Sequence, residues 1–424
     1  MFSRNSRPSR KGKYKGEMFK SAKLTGTLES TDDRSISSTV HENGAIKIVG
    51  QHIIYSVAFL VDGKHIVSGG AEGKIRRWRR EDGKEVEGPI DAKSEVNNIA
   101  VSRDGKWIVS GTHSGELTVW DAESDKLVRR WDGHGRWVVA VDVSADGKRI
   151  ATGSGDSTAC VWSLSTGQRL LAPLQHDNTV NAAKFSPDGC LIATATWLRD
   201  SVRVYDSQNG SLLVDVPIRV NSWSNQSLVW VCNSKNLFAL SLDGKINYLD
   251  VSTGTTLSPW PIHGGKPGCI ALASNGAFIA ASAGPSVSLW DTTTHKQIGP
   301  IIHHTDDVMS MAISANYDLV IGGGKAITMQ NICDVLLSSH HEEVSALARR
   351  AGFVPNDKPQ QMLREQGIQR VKAEKAVLEE TVQSLRVREE SSSACISILT
   401  CALLALMFIR QQNRKSRERR PATP

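Results

Sequence analysis

Paired cysteines, abundant aromatic residues and an apolar N-terminal segment are all missing from this sequence. Only 6% of its 424 residues are aromatic and 22% are charged, which is ordinary for a globular protein and excludes a wholly disordered or collagen-like chain. The seven cysteines stand singly, without Cys-x-x-Cys or zinc-ligand spacing. This pattern predicts a reducing compartment, with the cysteines unlinked and buried as small apolar residues.

The residue patterns of common catalytic and metal centres are missing as well. The sequence has no Ser–His–Asp order, no His-Glu-x-x-His motif and no phosphate-binding glycine loop, so we expect no catalytic residues, no cofactor and no enzymatic activity. Two histidine pairs, at 303–304 and 340–341, raise the question of a metal. Because neither pair has cysteines or patterned carboxylates nearby, we expect no metal site.

Positive charge is concentrated at the two ends of the chain. The net charge is +7, yet residues 1–25 alone carry +7 and residues 410–424 carry +5, so the remaining residues sum to −5. A nucleic-acid-binding domain usually carries its positive charge on the folded body. Nucleic acid is therefore not the expected partner of the body of this protein.

An internal repeat runs through most of the chain. Each unit has two short apolar runs, and the second ends at a marker position 40 to 44 residues from the next; the markers are Trp78, Trp120, Trp162, Tyr205, Leu249, Trp290 and Gln330. Asp-Gly or Asn-Gly pairs lie just before the first run of a unit, as at 104–105 and 146–147, and favour tight hairpin turns. Each unit is therefore predicted to be a four-stranded antiparallel sheet that stacks on its neighbours.

These units resemble the WD-repeat β-propeller family. Trp-Asp stands at 120–121 and 290–291, Tyr-Asp at 205–206 and Gly-His at 133–134. The resemblance implies a hydrogen-bonded set that locks a blade, and only the third repeat matches it in full, with His134, Thr152, Asp156 and Trp162. Repeats five to seven are identified by period and turns alone, so we expect that end of the ring to be the softer part.

The prediction is thus an all-β, seven-bladed WD-repeat propeller over residues 45–335. The last unit supplies only three strands, so residues 45–49 should provide the fourth and close the ring from the N-terminal side. Closure removes exposed sheet edges, which are a liability of β-proteins. Residues 1–44 have few apolar side chains and are predicted to be a disordered basic arm.

The meander also predicts two faces of unlike character. Loops between the second and third strands, and loops joining neighbouring units, share one face, which we call the loop face; the short Asp-Gly turns share the other, the turn face. Binding residues concentrate on variable loops of a rigid scaffold, so a protein partner is expected on the loop face. The candidate residues there are Trp137, Asn178, Trp197, Arg199, Trp223, Asp306 and Asp307. For Trp137 and Trp223 the alternative is packing between blades.

Residues 336–390 are predicted to be a helical stalk. Ser339 and Glu342 form a capping box that begins an amphipathic helix with Val344, Leu347 and Ala348. A second helical stretch follows Pro359, with apolar heptad positions over fewer than three heptads. A short coiled coil that self-associates and a single helix packed on something else both stay open.

Residues 391–410 are predicted to be a single transmembrane helix, followed by a basic tail over 411–424. Residues 394–409 contain no charge, and the 19 residues from 391 to 409 are enough to cross a thin hydrocarbon core. The alternative is a buried or partner-binding helix. Because the span is made after the propeller, we expect the propeller in the cytosol, with the outer mitochondrial or peroxisomal membrane favoured over the endoplasmic reticulum.

The expected function is a non-enzymatic interaction scaffold presented on the cytosolic side of a membrane. The basic arm then contacts anionic lipid; a mitochondrial presequence, a nuclear signal and a solvated tail are the other readings. The competing function is a soluble or nuclear WD-repeat adaptor, whose arm contacts nucleic acid and whose apolar tail binds a partner.

Overall fold

The computed structural model describes residues 36–41, 45–197, 201–220, 226–262 and 264–332. Within these ranges the chain forms 29 strands in seven antiparallel sheets, called blades 1 to 7 here in chain order. This architecture confirms the all-β, seven-bladed propeller that the period of the sequence predicts.

Two strands precede the first blade, β1 (Ser37–Val40) and β2 (Ile46–Val49). The next three blades contain four consecutive strands each. Blade 1 has β3 (Ile54–Phe59), β4 (His65–Gly70), β5 (Lys74–Arg79) and β6 (Glu85–Asp91). Blade 2 has β7 (Val96–Val101), β8 (Trp107–Thr112), β9 (Glu116–Asp121) and β10 (Leu127–Asp132). Blade 3 has β11 (Val138–Val143), β12 (Arg149–Ser154), β13 (Thr158–Ser163) and β14 (Leu174–Gln175).

The remaining four blades follow the same order. Blade 4 has β15 (Val180–Phe185), β16 (Leu191–Thr196), β17 (Val202–Asp206) and β18 (Leu212–Val216). Blade 5 has β19 (Leu228–Trp230), β20 (Asn236–Leu240), β21 (Lys245–Asp250) and β22 (Thr255–Pro261). Blade 6 has β23 (Pro267–Leu272), β24 (Phe278–Ala283), β25 (Ser286–Asp291) and β26 (Gln297–His303). Blade 7 begins with β27 (Ser310–Ile313), β28 (Asp318–Gly323) and β29 (Ala326–Asn331).

The turns of the turn face show why these hairpins form. In blade 2 the hydroxyl of Ser102 donates to Asp104 Oδ1 at 2.6 Å and accepts the amide of Trp107 at 2.9 Å. Gly105 completes the turn with a φ of +74°, which favours glycine. The Ser102 hydrogen bond, opposed by partial burial, lowers the pKa of Asp104, so the carboxylate stays ionised as a turn acceptor.

Side chains between adjacent blades form the core. Val109 and Leu117 of blade 2 pack with Val138, Val141 and other buried residues of blade 3. Gly111 allows the two sheets to approach closely, because a Cβ at this position would lie 2.5 Å from a methyl carbon of Val138. A single blade would leave these apolar sheet faces exposed, so the blades are stable only when they stack on each other.

The innermost strands join the blades into a closed ring. The first strand of each blade contacts the first strand of the next, from β3 through β7, β11, β15, β19 and β23 to β27, and β27 contacts β3 again. In blade 7, β2 pairs antiparallel with β29, with Ile46 opposite Met329 and Val49 opposite Ala326. Closure by a strand from the N-terminal side is therefore confirmed.

One strand departs from the prediction for the N-terminal arm. β1 pairs antiparallel with β2 and makes blade 7 five-stranded, so the stretch predicted as disordered over 1–44 was too long. All four β1 side chains are exposed. The strand is held by backbone bonds to an open sheet edge. Because its side chains do not face a core, its sequence has no alternation of apolar and polar residues from which a strand could be predicted.

The strand directions fix where the two ends of the ring leave it. β29 runs from the loop at Gly324, on the loop face, to Asn331, so the chain continues from the turn face. Ser37 pairs with Val49, which pairs with Ala326 beside the same loop. The N-terminal arm therefore joins blade 7 at its loop-face end.

Several predicted segments lie outside the described residues: the stalk 336–390, the span 391–410, the tail 411–424 and most of the arm. In the ranges that the structure does describe, none of the helical structure has the length and apolar character needed to traverse a bilayer.

The cysteines differ in part from the prediction. Cys160 and Cys269 are buried and free, as expected, but Cys190 and Cys232 are free and exposed. Both exposed residues lie at turn-face hairpins, beside β16 and β20, and the Cys232 thiol donates to the carbonyl of Ser274 in blade 6 at 3.2 Å.

Candidate protein-interaction face

A repeated backbone bond fixes the loops of the loop face. The residue that follows the second strand donates its amide to a carbonyl just before the first strand of the same blade. Examples are Ala71 to Ile53, Gly155 to Trp137 and Trp197 to Thr179, each at 2.9 Å. The loops are therefore anchored to the rigid inner strands, which is the arrangement that suits a preformed binding surface.

The structure brings the four predicted lock residues of blade 3 together. His134 Nδ1 lies 2.9 Å from Asp156 Oδ2, and His134 Nε2 lies 2.7 Å from Thr152 Oγ1. Trp162 Nε1 donates to the same Thr152 hydroxyl at 2.8 Å. The side chain of His134 is only 1% exposed and that of Asp156 is 20% exposed, so the histidine is shielded from water while the carboxylate is partly accessible.

The charge of Asp156 sets the proton positions in this network. Burial opposes ionisation of Asp156, but hydrogen bonds from His134, Thr158 and the amide of Gly135 hold its pKa well below the ordinary value. An ionised carboxylate only accepts, so Nδ1 of His134 carries the proton. The lock thereby fixes the loop from Gly135 to Trp137 at the edge of the loop face.

Blade 1 replaces this network with an ionic one. Trp78 Nε1 still donates to Ser68 Oγ at 2.8 Å, but Arg76 donates to Glu72 and to Glu85, each at 2.8 Å. Burial of Glu72 is outweighed by hydrogen bonds from Arg76 and Lys74, which lower its pKa to about 2. The sequence analysis missed Arg76. Its unusual feature is that an arginine occupies the strand position at which blades 2 and 6 have Thr118 and Ser288.

The histidine pair at 303–304 has a structural role for its second member. His304 is 7% exposed; Nδ1 lies 2.9 Å from Thr328 Oγ1, and Nε2 donates to the carbonyl of Gly323 at 3.1 Å. Across the described residues, no cluster of three or more His, Cys, Asp or Glu side chains is placed to hold a metal ion. The pair at 340–341 lies outside them.

Trp137 is the candidate residue with the most defined surroundings. Its indole stacks on His113 of blade 2, with ring centroids 5.6 Å apart and planes 14° apart. The Arg136 guanidinium lies 4.2 Å from the ring centroid. A Cβ at Gly155 would overlap the indole, so glycine is required beneath it. Trp137 remains half-buried, which combines packing against the neighbouring blade with an accessible surface.

The other candidate residues fall into two groups on the ring. Asn178 and Trp197 are half-buried on blade 4, and Asn178 Oδ1 accepts the amide of Thr179 at 2.8 Å. Asp306 and Asp307 are exposed at the entry to blade 7. Arg199 and Trp223 lie outside the described residues.

Sequence reasoning also missed three residues that shape this face. His113 and Arg136 flank Trp137. In the sequence, the position of Arg136 directly before Trp137 could have indicated one of these two contacts. Gln226 accepts the amide of Met311 with Oε1 at 2.7 Å and the amide of Ile270 with its carbonyl at 2.8 Å. It links blades 5, 6 and 7, and nothing in the local sequence indicates this contact.

Comparison with known families identifies part of the ring. The family model described as WD40, "WD domain, G-beta repeat", matches residues 44–79, 84–121, 125–163 and 168–206. Each matched segment holds the outer strand of one blade and the three inner strands of the next. No curated protein matched the chain. WD40 propellers are in general non-enzymatic scaffolds that bind proteins. The four matched repeats and the seven-bladed ring together support the WD-repeat family for this chain.

Proposed function

We propose that this protein is a non-enzymatic scaffold whose loop face binds a protein partner. The observation that carries the proposal is Trp137, which His113, Arg136 and Gly155 hold in one orientation on that face while part of the indole stays accessible. Tryptophan and arginine dominate the binding energy of protein interfaces. A side chain that is already oriented also loses little conformational entropy on binding.

The charges of the loop face indicate the chemistry of the partner. Arg136 is exposed beside Trp137, whereas Asp306 and Asp307 are exposed on the opposite part of the ring. A partner segment with an acidic or apolar part over blades 2 to 4, and a basic part over blade 7, is complementary to both.

The test of loop-face binding is capture of the partner by variants of the full chain. Trp137→Ala removes an anchor worth about 2 kcal/mol or more, so we expect captured partner to fall about 30-fold. Leu213→Ala, which removes a side chain that is 53% exposed near the turn-face end of β18, is the control and should leave capture unchanged. Equal capture by wild-type and Trp137→Ala protein would contradict the proposal.

We further propose that residues 391–410 anchor the scaffold in a membrane, with the propeller in the cytosol and the outer mitochondrial or peroxisomal membrane favoured. The apolar sequence supports the anchor, and the exit of the chain from the turn face supports an orientation with the loop face directed away from the bilayer. In alkaline carbonate extraction, the full chain should stay in the pellet, and the chain without 391–424 should be released. A full chain in the supernatant argues against the anchor.

Contact of the basic arm with anionic lipid is compatible with this orientation. The arm joins the loop-face end of blade 7. A flexible segment of 35 residues has a mean span of roughly 30–35 Å, and a six-residue strand is about 20 Å long. The arm is therefore long enough to reach past the blade to a membrane on the other side.

The second candidate is the soluble or nuclear adaptor, which the two basic ends favour. If the arm binds nucleic acid, deletion of residues 1–25 should abolish that binding, and the affinity should fall steeply with salt. Binding that survives the deletion would place nucleic acid on the propeller instead.

A further inference from the structure

An apolar cleft opens on the turn face between blades 2 and 3, away from the candidate interaction face. Its volume is about 620 Å³, within the range of ligand and peptide sites. Four of its lining residues are apolar: Trp107, Val128, Leu164 and Leu170. Val128 is 47% exposed and Leu170 49% exposed, so the cleft presents large aliphatic side chains to its surroundings.

The cleft exists because the outer strand of blade 3 is cut short. β14 contains only Leu174 and Gln175, and before it the chain touches β13 at a single bridge between Trp162 and Arg169. The amide of Leu170 still donates to the carbonyl of Val161 at 2.8 Å, and residues 171–173 then leave the sheet; Pro173 cannot donate to a strand ladder. Leu170 is the last residue of this pairing, and its exposed side chain lines the cleft beside the apolar side chains of blade 2.

The rim of the cleft carries excess positive charge. Lys148 is exposed and makes no ion pair with a described residue. Arg149 donates only to neutral acceptors, the carbonyl of Gly189 at 2.7 Å and the hydroxyl of Ser207 at 3.0 Å. Asp146 is the one carboxylate in the lining, so the rim has a net charge of about +1. An occupant with apolar residues next to acidic ones fits this cleft.

We propose that the occupant is residues 339–351 of the same chain. This segment places Glu342 and Glu343 directly before the apolar positions Val344, Leu347 and Ala348. It follows the ring on the turn face, where β29 ends at Asn331. Val344 and Leu347 fill the cleft between Val128 and Leu170, and the two glutamates lie near Lys148.

The connecting chain is long enough for this contact. The seven residues from 333 to 339 span up to about 23–25 Å when extended, and residues 340–343 add about 6 Å in the helix that the Ser339 capping box predicts. Sheets packed face to face lie about 10 Å apart, so the two and a half blade spacings from blade 7 to the cleft amount to about 25 Å, which is within this reach. Docking fixes the start of the C-terminal segment against blades 2 and 3. The proposal does not depend on membrane anchoring.

Thiol cross-linking in the full chain tests the contact. Cys190, Cys232 and the three cysteines beyond residue 332 are replaced by serine, and Leu170→Cys is combined with Leu347→Cys. A short bismaleimide should join the two thiols within one molecule. The matched control combines Leu347→Cys with Leu257→Cys, which is 53% exposed on blade 5, on the other side of blade 7. The control pair should give at least about tenfold less cross-linked peptide, the ratio for a docked state favoured by about 1.4 kcal/mol.

Charge reversal sharpens the test. Glu342→Lys with Glu343→Lys should reduce the 170–347 cross-link to the level of the control pair. A monofunctional maleimide should also label Leu170→Cys faster in that background, with no change at Leu257→Cys. Equal cross-linking of both pairs would overturn the proposal. So would equal labelling in both backgrounds, or a cross-link found only between two molecules, which would assign the cleft to a second copy.

Discussion

Blades 1 to 4 and blades 5 to 7 form the same kind of sheet with different interior chemistry. The family model matches repeats only up to residue 206, yet β19 to β29 continue the ring without a change of topology. Blade 3 has Thr152 and Trp162 in its lock, whereas the registers of blade 5 place Ala239 and Leu249 at the same positions. Ala239 and Leu249 are both fully buried in one apolar cluster.

The two halves share the features that form each sheet but differ in the polar contacts between sheets. Alternating buried residues and tight turns are present in both halves and suffice for the sheets. The polar residues differ: Ser56 accepts the amide of Ile99 and Asn98 that of Val141 in the first half, whereas Gln226 connects three blades in the second. The signature lock thus acts within blade 3, while other polar side chains, different in the two halves, hold adjacent blades together.

The largest expected effect is loss of core volume in blade 5. Phe238 is 1% exposed, and its ring lies 4.8 Å from that of Tyr248. Phe238→Ala should lower the free energy of unfolding by about 3–5 kcal/mol, because blade 5 relies on apolar packing. Denaturant unfolding of the full chain measures this. Leu242→Ala, 42% exposed in the same blade, is the control and should stay within about 0.5 kcal/mol. A loss below about 1 kcal/mol for Phe238→Ala would show that blade 5 does not rely on apolar packing.

The next effect concerns pH and the histidine of blade 4. Neither ring nitrogen of His176 has a hydrogen-bond partner among the described residues. Burial, and to a smaller extent Arg203, lower its pKa to about 4, with Asp177 opposing the shift. Between pH 6.5 and 4 the unfolded chain therefore binds a proton that the folded chain does not, and stability falls as pH falls. The loss should approach roughly 3 kcal/mol at pH 4.

Comparison with a variant isolates the His176 contribution. His176→Gln should flatten the decline in stability between pH 6.5 and 4, measured by denaturant unfolding at each pH. His134 of blade 3 already donates to an ionised carboxylate, so it serves as the contrasting histidine. An unchanged pH profile in His176→Gln would contradict this account.

A smaller effect is expected from removing one hydroxyl from the lock. Thr152→Val leaves Trp162 Nε1 and His134 Nε2 without their shared partner, which should cost about 2 kcal/mol of stability. The reverse substitution in blade 5, Ala239→Thr, should also destabilise the chain, because it buries a hydroxyl among apolar side chains. If Ala239→Thr were neutral or stabilising, the two interiors would not be distinct.

The smallest effect is expected at the link between blades 5 and 7. Gln226→Ala leaves the amide of Met311 without its acceptor and should reduce stability by about 1 kcal/mol. Gln226→Glu retains an acceptor oxygen and should lose less. Amide hydrogen exchange of residues 308–313 reports the site directly, and equal exchange in both variants would show that the link is unimportant.

The softness of the second half stays a prediction. None of repeats five to seven carries the full lock set, although repeat six keeps Trp290, and the structure adds contacts of Gln226 and His304 and apolar packing. Native-state hydrogen exchange should show faster opening in blades 5 and 6 than in blades 2 and 3 if the lock contributes as the contacts indicate.

The period and the turns predicted the ring because both follow from local chemistry. The closing strand was predictable because the last unit lacked a fourth strand and residues 45–49, before the first unit, have the residue pattern of one. β1 was not, because its exposed Ser, Thr and Val side chains carry no pattern. The stacking of Trp137 on His113 and the reach of Gln226 across blades depend on distances between blades, which a one-dimensional pattern does not contain.

Hydrogen exchange on the captured complex of the full chain with its partner tests whether the partner binds the loop face around Trp137. We expect the partner to slow exchange in the loop-face peptides around 113 and 133–137, while the turn-face peptides around 146–149 exchange as in the free chain. Slower exchange confined to the turn face, with the peptides around Trp137 unchanged, would contradict the account.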